Sequence, residues 1–136
     1  MYVHNLHYLC SMMNMNTDDT LRLPAEWEEQ SGVQLTWPHA QTDWRPYLAE
    51  ITETYIALAR AIVQHERLLV VAPEADAVRQ LLADRLGADA LGRITFAQCA
   101  TNDTWARDHG ALTLVGDGGP RLLDFRFDGW GDKFAW

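Results

Sequence analysis

Leu48-Ala49-Glu50-Ile51-Thr52-Glu53-Thr54-Tyr55-Ile56-Ala57-Leu58-Ala59-Arg60-Ala61-Ile62 is followed, after a short polar link, by Leu68-Leu69-Val70-Val71-Ala72. In the first stretch Leu48, Ile51, Tyr55, Leu58 and Ile62 recur at steps of three and four, the period of an amphipathic helix. The second is an uninterrupted apolar run of strand length, which predicts a buried strand. A helix feeding a buried strand is the repeating unit of an α/β fold.

The pattern extends in both directions. Upstream, Val33, Leu35 and Trp37 alternate with Gln34 and Thr36, predicting a half-buried strand after Gly32 that Pro38 stops. Pro38 to Trp44 reads as a loop, with Thr42 or Asp43 available to cap the next helix. Downstream, residues 74–86 predict a second helix with Val78, Leu81, Leu82 and Leu86 on one face and Gly87 as its C-cap. Ile94 and Phe96 mark a third strand reaching about Gln98. Ala111 to Val115 and Leu122 to Phe127, joined by Gly116-Asp117-Gly118-Gly119, predict a fourth and fifth strand paired as a hairpin. The order is β-α-β-α-β-β-β: a mixed α/β layout with parallel neighbours across the helices and an antiparallel final pair.

Composition narrows the function. The chain has 136 residues, 48% hydrophobic and 22% charged, which is globular usage and suits one domain rather than two. No apolar run approaches the roughly 18 residues of a membrane span. The net charge of −8 argues against nucleic acid as a partner, since phosphate binding needs a basic face. Cys10 and Cys99 are too few for a disulfide framework, and the start lacks a signal-peptide pattern, so a cytoplasmic, thiol-reduced protein is expected. Of the six tryptophans, Trp27, Trp37, Trp44, Trp105, Trp130 and Trp136, most are expected to fill the core.

Residues 1–20 read as an atypical, disordered leader, rich in methionine and without a persistent period. Met15 is a more natural start. His4, His7 and Cys10 have a spacing that suggests metal ligands, but no fourth ligand is evident and no metal is expected. Residues 21–136 form the ordered domain. It closes on a glycine–aromatic stretch, Phe127 to Trp136, with no following element. On physical grounds the chain is therefore expected to be a piece of something longer.

Chemistry concentrates between strands three and four, in Thr101-Asn102-Asp103-Thr104-Trp105-Ala106-Arg107-Asp108-His109-Gly110. A carboxylate beside an indole suits a planar cation such as guanidinium: the carboxylate accepts two parallel N–H bonds and the indole stacks on the cation's face. The competing reading is a plain turn in which Asp103 caps backbone amides and Arg107 pairs with a neighbouring acid. His39 and His109 are possible bases or ordinary loop histidines. Cys99 sits at a strand end, where a small buried cysteine is the commoner case. Phosphate-loop, CxxC and serine-elbow motifs are absent.

Four segments together resemble one family. They are Leu23-Pro24-Ala25-Glu26-Trp27-Glu28, Leu35-Thr36-Trp37-Pro38-His39, Asn102 to Gly110, and Leu123-Asp124-Phe125-Arg126-Phe127-Asp128-Gly129-Trp130-Gly131. The chain resembles agmatine deiminase and the bacterial-type peptidylarginine deiminases, from about Leu21 to the C-terminus. The resemblance implies a pentein, a propeller of five ββαβ-type units, of which this chain would hold about two in mixed sheets. It implies hydrolysis of a guanidino group with release of ammonia, for agmatine giving N-carbamoylputrescine on a route to putrescine. The reaction would run through a covalent cysteine intermediate, with no metal or other cofactor.

Carried over by position, the resemblance implies that Asp108 binds the guanidinium and Trp105 walls the pocket. Asn102, Asp103 and Arg107 would support them, and Trp130 would lie near the substrate entrance. Neither Cys10 nor Cys99 corresponds to the family's nucleophile, and its catalytic histidine has no match here. Residues 21–136 would then be the N-terminal part of a deiminase domain, truncated and inactive alone. Ala111 and Asp132 depart from the family's usual proline and glycine. The substrate implied is a small cationic guanidino compound, with peptidyl-arginine or non-catalytic polyamine binding as alternatives. Exposed sheet edges would favour association or a homo-oligomer.

Overall fold

The computed structural model describes residues 21–132. The leader, the His4, His7 and Cys10 spacing, and Trp136 lie outside those described residues. The described residues form two compact units: Glu29–Gly110 with residues 126–132, and residues 21–28 with Ala111–Phe125.

In the first unit, β1 (Val33–Thr36), β2 (Leu68–Ala72) and β3 (Ile94–Gln98) form a parallel sheet in that order. The register pairs Leu35 with Val70 and Val70 with Phe96. Paired residues share a face in such a ladder, so Val33, Leu35, Leu68, Val70, Ile94 and Phe96 line up on one side. Parallel neighbours need crossovers. These are α1 (Leu48–Ile62) between β1 and β2, and α2 (Ala75–Leu86) with the short α3 (Ala88–Leu91) between β2 and β3.

The core forms where the helices meet that face. Ile56, Ala59 and Val63 of α1 and its end pack with Val78 and Leu82 of α2 and with Leu68, Val70, Ala72 and Ile94 of the sheet. Trp37, just past β1, meets Tyr55 edge to face with ring centroids 5.5 Å apart. The buried stripe of α1 corrects one expectation. Leu58 is 43% exposed, and Ile56, Ala59 and Val63 face the sheet instead. Ala59 is completely buried against the core, and a search for bulky residues passes over it.

Polar contacts tie the helices to each other. Arg85 of α2 holds both carboxylate oxygens of Glu53 on α1, and Arg93 donates to the Val63 carbonyl at the end of α1 at 2.8 Å. Arg79 places its guanidinium carbon 4.4 Å from the Phe96 ring centre, joining α2 to β3. Gly32 explains how β1 starts. A Cβ there would stand 2.7 Å from the Arg67 carbonyl oxygen, the atom that accepts the Val33 N–H at 2.9 Å.

Neither Thr42 nor Asp43 caps α1. The Thr42 hydroxyl donates to the His39 carbonyl at 2.8 Å, and a 3-10 turn over Arg45–Tyr47 precedes the helix. Pro46 within that turn suits its fixed φ. Gly87 ends α2 as expected, with φ of 85°.

The second unit is antiparallel. β4 (Leu112–Leu114) pairs with β5 (Arg121–Leu123), and Arg22 bridges to Val115 through two backbone bonds of 2.9 Å. Both strands are shorter than the sequence predicts. Leu123 pairs with Leu112, the first residue of β4, so the residues after Leu123 have no strand left to oppose. Before the hairpin, Arg22 grips both oxygens of Glu28 at 2.7 and 2.8 Å, and the Ala25 N–H donates to Glu28 at 2.9 Å. The Arg22 hydrogen bonds, then the Ala25 N–H, lower the Glu28 carboxyl to about 2.

Two composition expectations are overturned. Among the described tryptophans only Trp37 is fully buried; Trp44 is half-buried, and Trp27, Trp105 and Trp130 are exposed. Cys99 is exposed as well. Alanine, valine, isoleucine and leucine fill the core, which leaves indoles for the surface.

Candidate functional site

In a parallel sheet every strand delivers its following loop to the same edge, and ligands gather there in open α/β folds. Here the loops after β1 and β3 converge at that edge. The Trp37 N–H reaches the Val71 carbonyl and the Cys99 N–H the Ala72 carbonyl, so the ladder continues past the strand ends. Two side-chain bonds then join the loops. His39 Nε2 lies 3.1 Å from Thr101 Oγ1. The Trp44 indole N–H donates to Thr104 Oγ1 at 2.9 Å. Thr104 is buried.

Beyond that point the 101–110 segment is shaped from within. Asp103 Oδ1 accepts the Thr104 N–H at 2.6 Å and the Trp105 N–H at 3.3 Å. This is the arrangement by which an aspartate makes a turn with its own following backbone. The chain then makes a single helical turn, α4 (Ala106–His109), where the sequence predicts only loop. The Asp108 N–H donates to the Trp105 carbonyl at 2.9 Å and the Gly110 N–H to the Ala106 carbonyl at 2.6 Å. Gly110 is required, because a Cβ there would lie 2.6 Å from the Ala106 oxygen.

The outcome is an exposed indole and an exposed carboxylate three residues apart across one turn. Trp105 is 61% exposed. The Asp108 side chain makes no hydrogen bond or ion pair among the described residues. Trp105 is the residue just before the helical turn and Asp108 lies within it, the two joined by the Asp108 N–H to Trp105 carbonyl bond. A carboxylate free to accept two N–H bonds beside a free indole face is chemically suited to a planar cation.

Asn102, Asp103, Trp105 and Asp108 thus lie on one short segment, and the two aspartates differ in what they hold. The turn reading holds for Asp103, whose oxygen is committed to backbone amides, and Asp108 keeps its oxygens for other partners. Trp130 lies on a different turn, Gly129–Asp132, meeting Phe127 edge to face at 5.2 Å. That turn is left-handed throughout, with φ of 58° at Trp130 and 59° at Asp132. Such angles are costly for residues with side chains.

The sequence missed Trp44, Thr101 and Thr104 as site residues. No local signal marks them, because their partners are distant in the chain. Among the described residues, no group of three or more histidine, cysteine or acidic side chains could hold a metal ion. A cavity of about 270 Å³ lies at the opposite edge of the sheet, lined by Gln30, Ser31, His65, Glu66, Arg67 and Arg93.

Known proteins share this arrangement of elements. The family described as Porphyromonas-type peptidyl-arginine deiminase matches residues 22–136. The agmatine deiminase of Stutzerimonas stutzeri is 34% identical over 116 residues, which cover 85% of this chain and 30% of that protein. The agmatine deiminase of Pseudomonas aeruginosa is 30% identical over 116 residues, covering 83% of this chain and 30% of its own length. The structure of the C. jejuni agmatine deiminase with substrate bound superposes with a TM-score of 0.73 at 33% identity, covering 89% of this chain and 34% of that one. The mixed α/β architecture is therefore part of a pentein fold. The chain spans about 30% of the length of these curated relatives.

Proposed function

Because the chain belongs to the Porphyromonas-type peptidyl-arginine deiminase family, we propose that it carries the guanidinium-holding face of a guanidino-group hydrolase, with agmatine as the substrate. The observation that carries this is the exposed Trp105–Asp108 pair, linked by the Asp108 N–H to Trp105 carbonyl bond at the start of the 106–109 turn, with the Asp108 carboxylate unengaged among the described residues. Agmatine presents a flat cation with paired N–H donors at one end. Asp108 would accept two of those N–H bonds and Trp105 would cover the cation's face, which fixes its orientation. Asn102 and Asp103 would hold the segment in shape, and Trp130 would flank the entrance.

In the reaction proposed, water adds its oxygen to the guanidino carbon and one nitrogen leaves as ammonia, giving N-carbamoylputrescine. Binding and turnover separate in this chain. Cys99 is exposed, but it stands outside the motif that the resemblance implies for the nucleophile. Losing a covalent nucleophile removes most of an enzyme's rate enhancement. The chain alone is therefore expected to bind agmatine and to release no ammonia above background. Calorimetric titration together with an ammonia assay tests both halves. Binding of peptidyl-arginine in preference to agmatine would shift the substrate assignment within the family. Exposed Trp27, Leu122 and Leu23 support self-association of the isolated chain, which light scattering would read.

A further inference from the structure

We propose that His39 and Trp44, in the loop after β1, are positioning residues that set the geometry of the Trp105–Asp108 face from outside its own segment. This rests on the guanidinium-binding role proposed above. The hydrogen-bond directions carry the argument. The Gln41 N–H donates to His39 Nδ1 at 3.2 Å, so that nitrogen presents its lone pair. A neutral imidazole has one ring hydrogen, which must then sit on Nε2 and point at Thr101 Oγ1, 3.1 Å away. The tautomer is thus set by the β1 loop's own backbone. An indole N–H can only donate, so Trp44 donates to Thr104 Oγ1 in the same sense.

Both threonine hydroxyls accordingly act as acceptors from one loop. That loop is itself closed by two bonds onto the His39 carbonyl, from the Thr42 N–H at 3.0 Å and the Thr42 hydroxyl at 2.8 Å. The two anchored positions, 101 and 104, bracket Asn102 and Asp103. The second lies immediately before Trp105. Asp103 also accepts the Thr104 and Trp105 amides, so the backbone entering Trp105 is held both by the β1 loop and by its own aspartate. The buried Thr104 oxygen makes the bond hard to replace with water.

The test uses the full chain and the variants Trp44→Phe, Thr104→Val, His39→Ala and His39→Gln. Agmatine affinity is measured by calorimetry, and amide exchange and indole resonances by NMR. Trp44→Phe and His39→Ala are expected to weaken agmatine roughly tenfold, the scale of one lost hydrogen bond with some loss of orientation. His39→Gln, whose amide nitrogen can reach where Nε2 stood, should bind within about twofold of the parent. The Trp44→Phe/Thr104→Val pair should bind no worse than either single variant, since both remove the same bond. Amides of β2 should keep their protection throughout, which separates positioning from loss of fold. Parental affinity in Trp44→Phe and His39→Ala would overturn the proposal. So would loss of β2 protection in those variants, because the bonds would then be part of the fold itself. If the parent chain fails to bind agmatine, the guanidinium reading fails by itself. The positioning claim is then decided by the agmatine-free spectra, where faster exchange at the Thr104 and Trp105 amides supports it and unchanged exchange overturns it.

Discussion

One carboxylate oxygen of Asp103 accepts the backbone N–H of Thr104 at 2.6 Å, and the same oxygen takes the Trp105 N–H at 3.3 Å. Asp103 and Asp108 are close in sequence and identical in chemistry, yet the first shapes the turn and the second is left available. Asp103→Asn keeps an oxygen acceptor and is expected to preserve agmatine binding. Asp103→Ala removes it and should destabilise the turn by about 1 kcal/mol, the usual cost of a lost capping bond. Proton–deuterium exchange at the Thr104 and Trp105 amides reads the difference. Equal exchange in both variants would count against the capping role.

Gly110 closes the helical turn that carries Asp108. Its Cβ position falls 2.6 Å from the Ala106 carbonyl oxygen, so Gly110→Ala must open the turn or shift backbone. A destabilisation of about 1–3 kcal/mol is expected, the range for overpacking a tight site. Agmatine binding should weaken with it. Chemical denaturation and titration of the same variant test the two effects together, and a variant that binds as tightly as the parent would contradict the geometry.

Glu28 gives the second unit a pH dependence of known sign. Arg22's hydrogen bonds, reinforced by the Ala25 N–H, lower its carboxyl from 4.5 to about 2. A group depressed on folding stabilises the folded form above its unfolded value and loses that contribution as pH falls through the folded value. The turn over residues 22–28 should therefore be unchanged between pH 7 and 5 and loosen progressively from about 4.5 towards 2. The Ala25 amide resonance followed against pH tests this. Glu28→Gln should abolish the dependence, and loosening that begins above pH 5 would assign it to another group.

Two core substitutions should move stability in opposite directions. Leu82 is fully buried between helix and sheet, so Leu82→Ala is expected to cost about 2–5 kcal/mol. Thr36 is equally buried, but its hydroxyl oxygen has no partner among the described residues. Thr36→Val removes an unsatisfied polar atom at nearly constant shape and should be neutral or stabilising by about 1 kcal/mol. Urea midpoints measure both. A clearly destabilised Thr36→Val would mean the hydroxyl has a partner.

How far the chain was legible in advance follows from which forces are local. Residues 48–62 and 68–72 announce themselves because helix and buried strand each impose a period on their own segment. The same logic misplaced Leu58, since the step from Tyr55 to Leu58 fits the period as well as the step from Ile56 to Ala59. Only the sheet decides between them. The ends of β4 and β5 were beyond reach because pairing stops where the partner runs out. At the site, the Asn102–Gly110 cluster was visible as a density of chemical groups, and the family likeness singled out Asp108 and Trp105. The anchors were not visible. His39 with Thr101, and Trp44 with Thr104, are pairs about sixty residues apart that only a parallel crossover brings together.

Agmatine titrated calorimetrically into the parent chain and into Asp108→Asn decides whether Asp108, beside Trp105, accepts a guanidinium. Saturable, salt-sensitive binding to the parent is expected, weakened at least tenfold in Asp108→Asn with the fold intact, because a charge-assisted bond of about 1.5–3 kcal/mol is lost. Agmatine that binds both proteins equally, or neither, would contradict it.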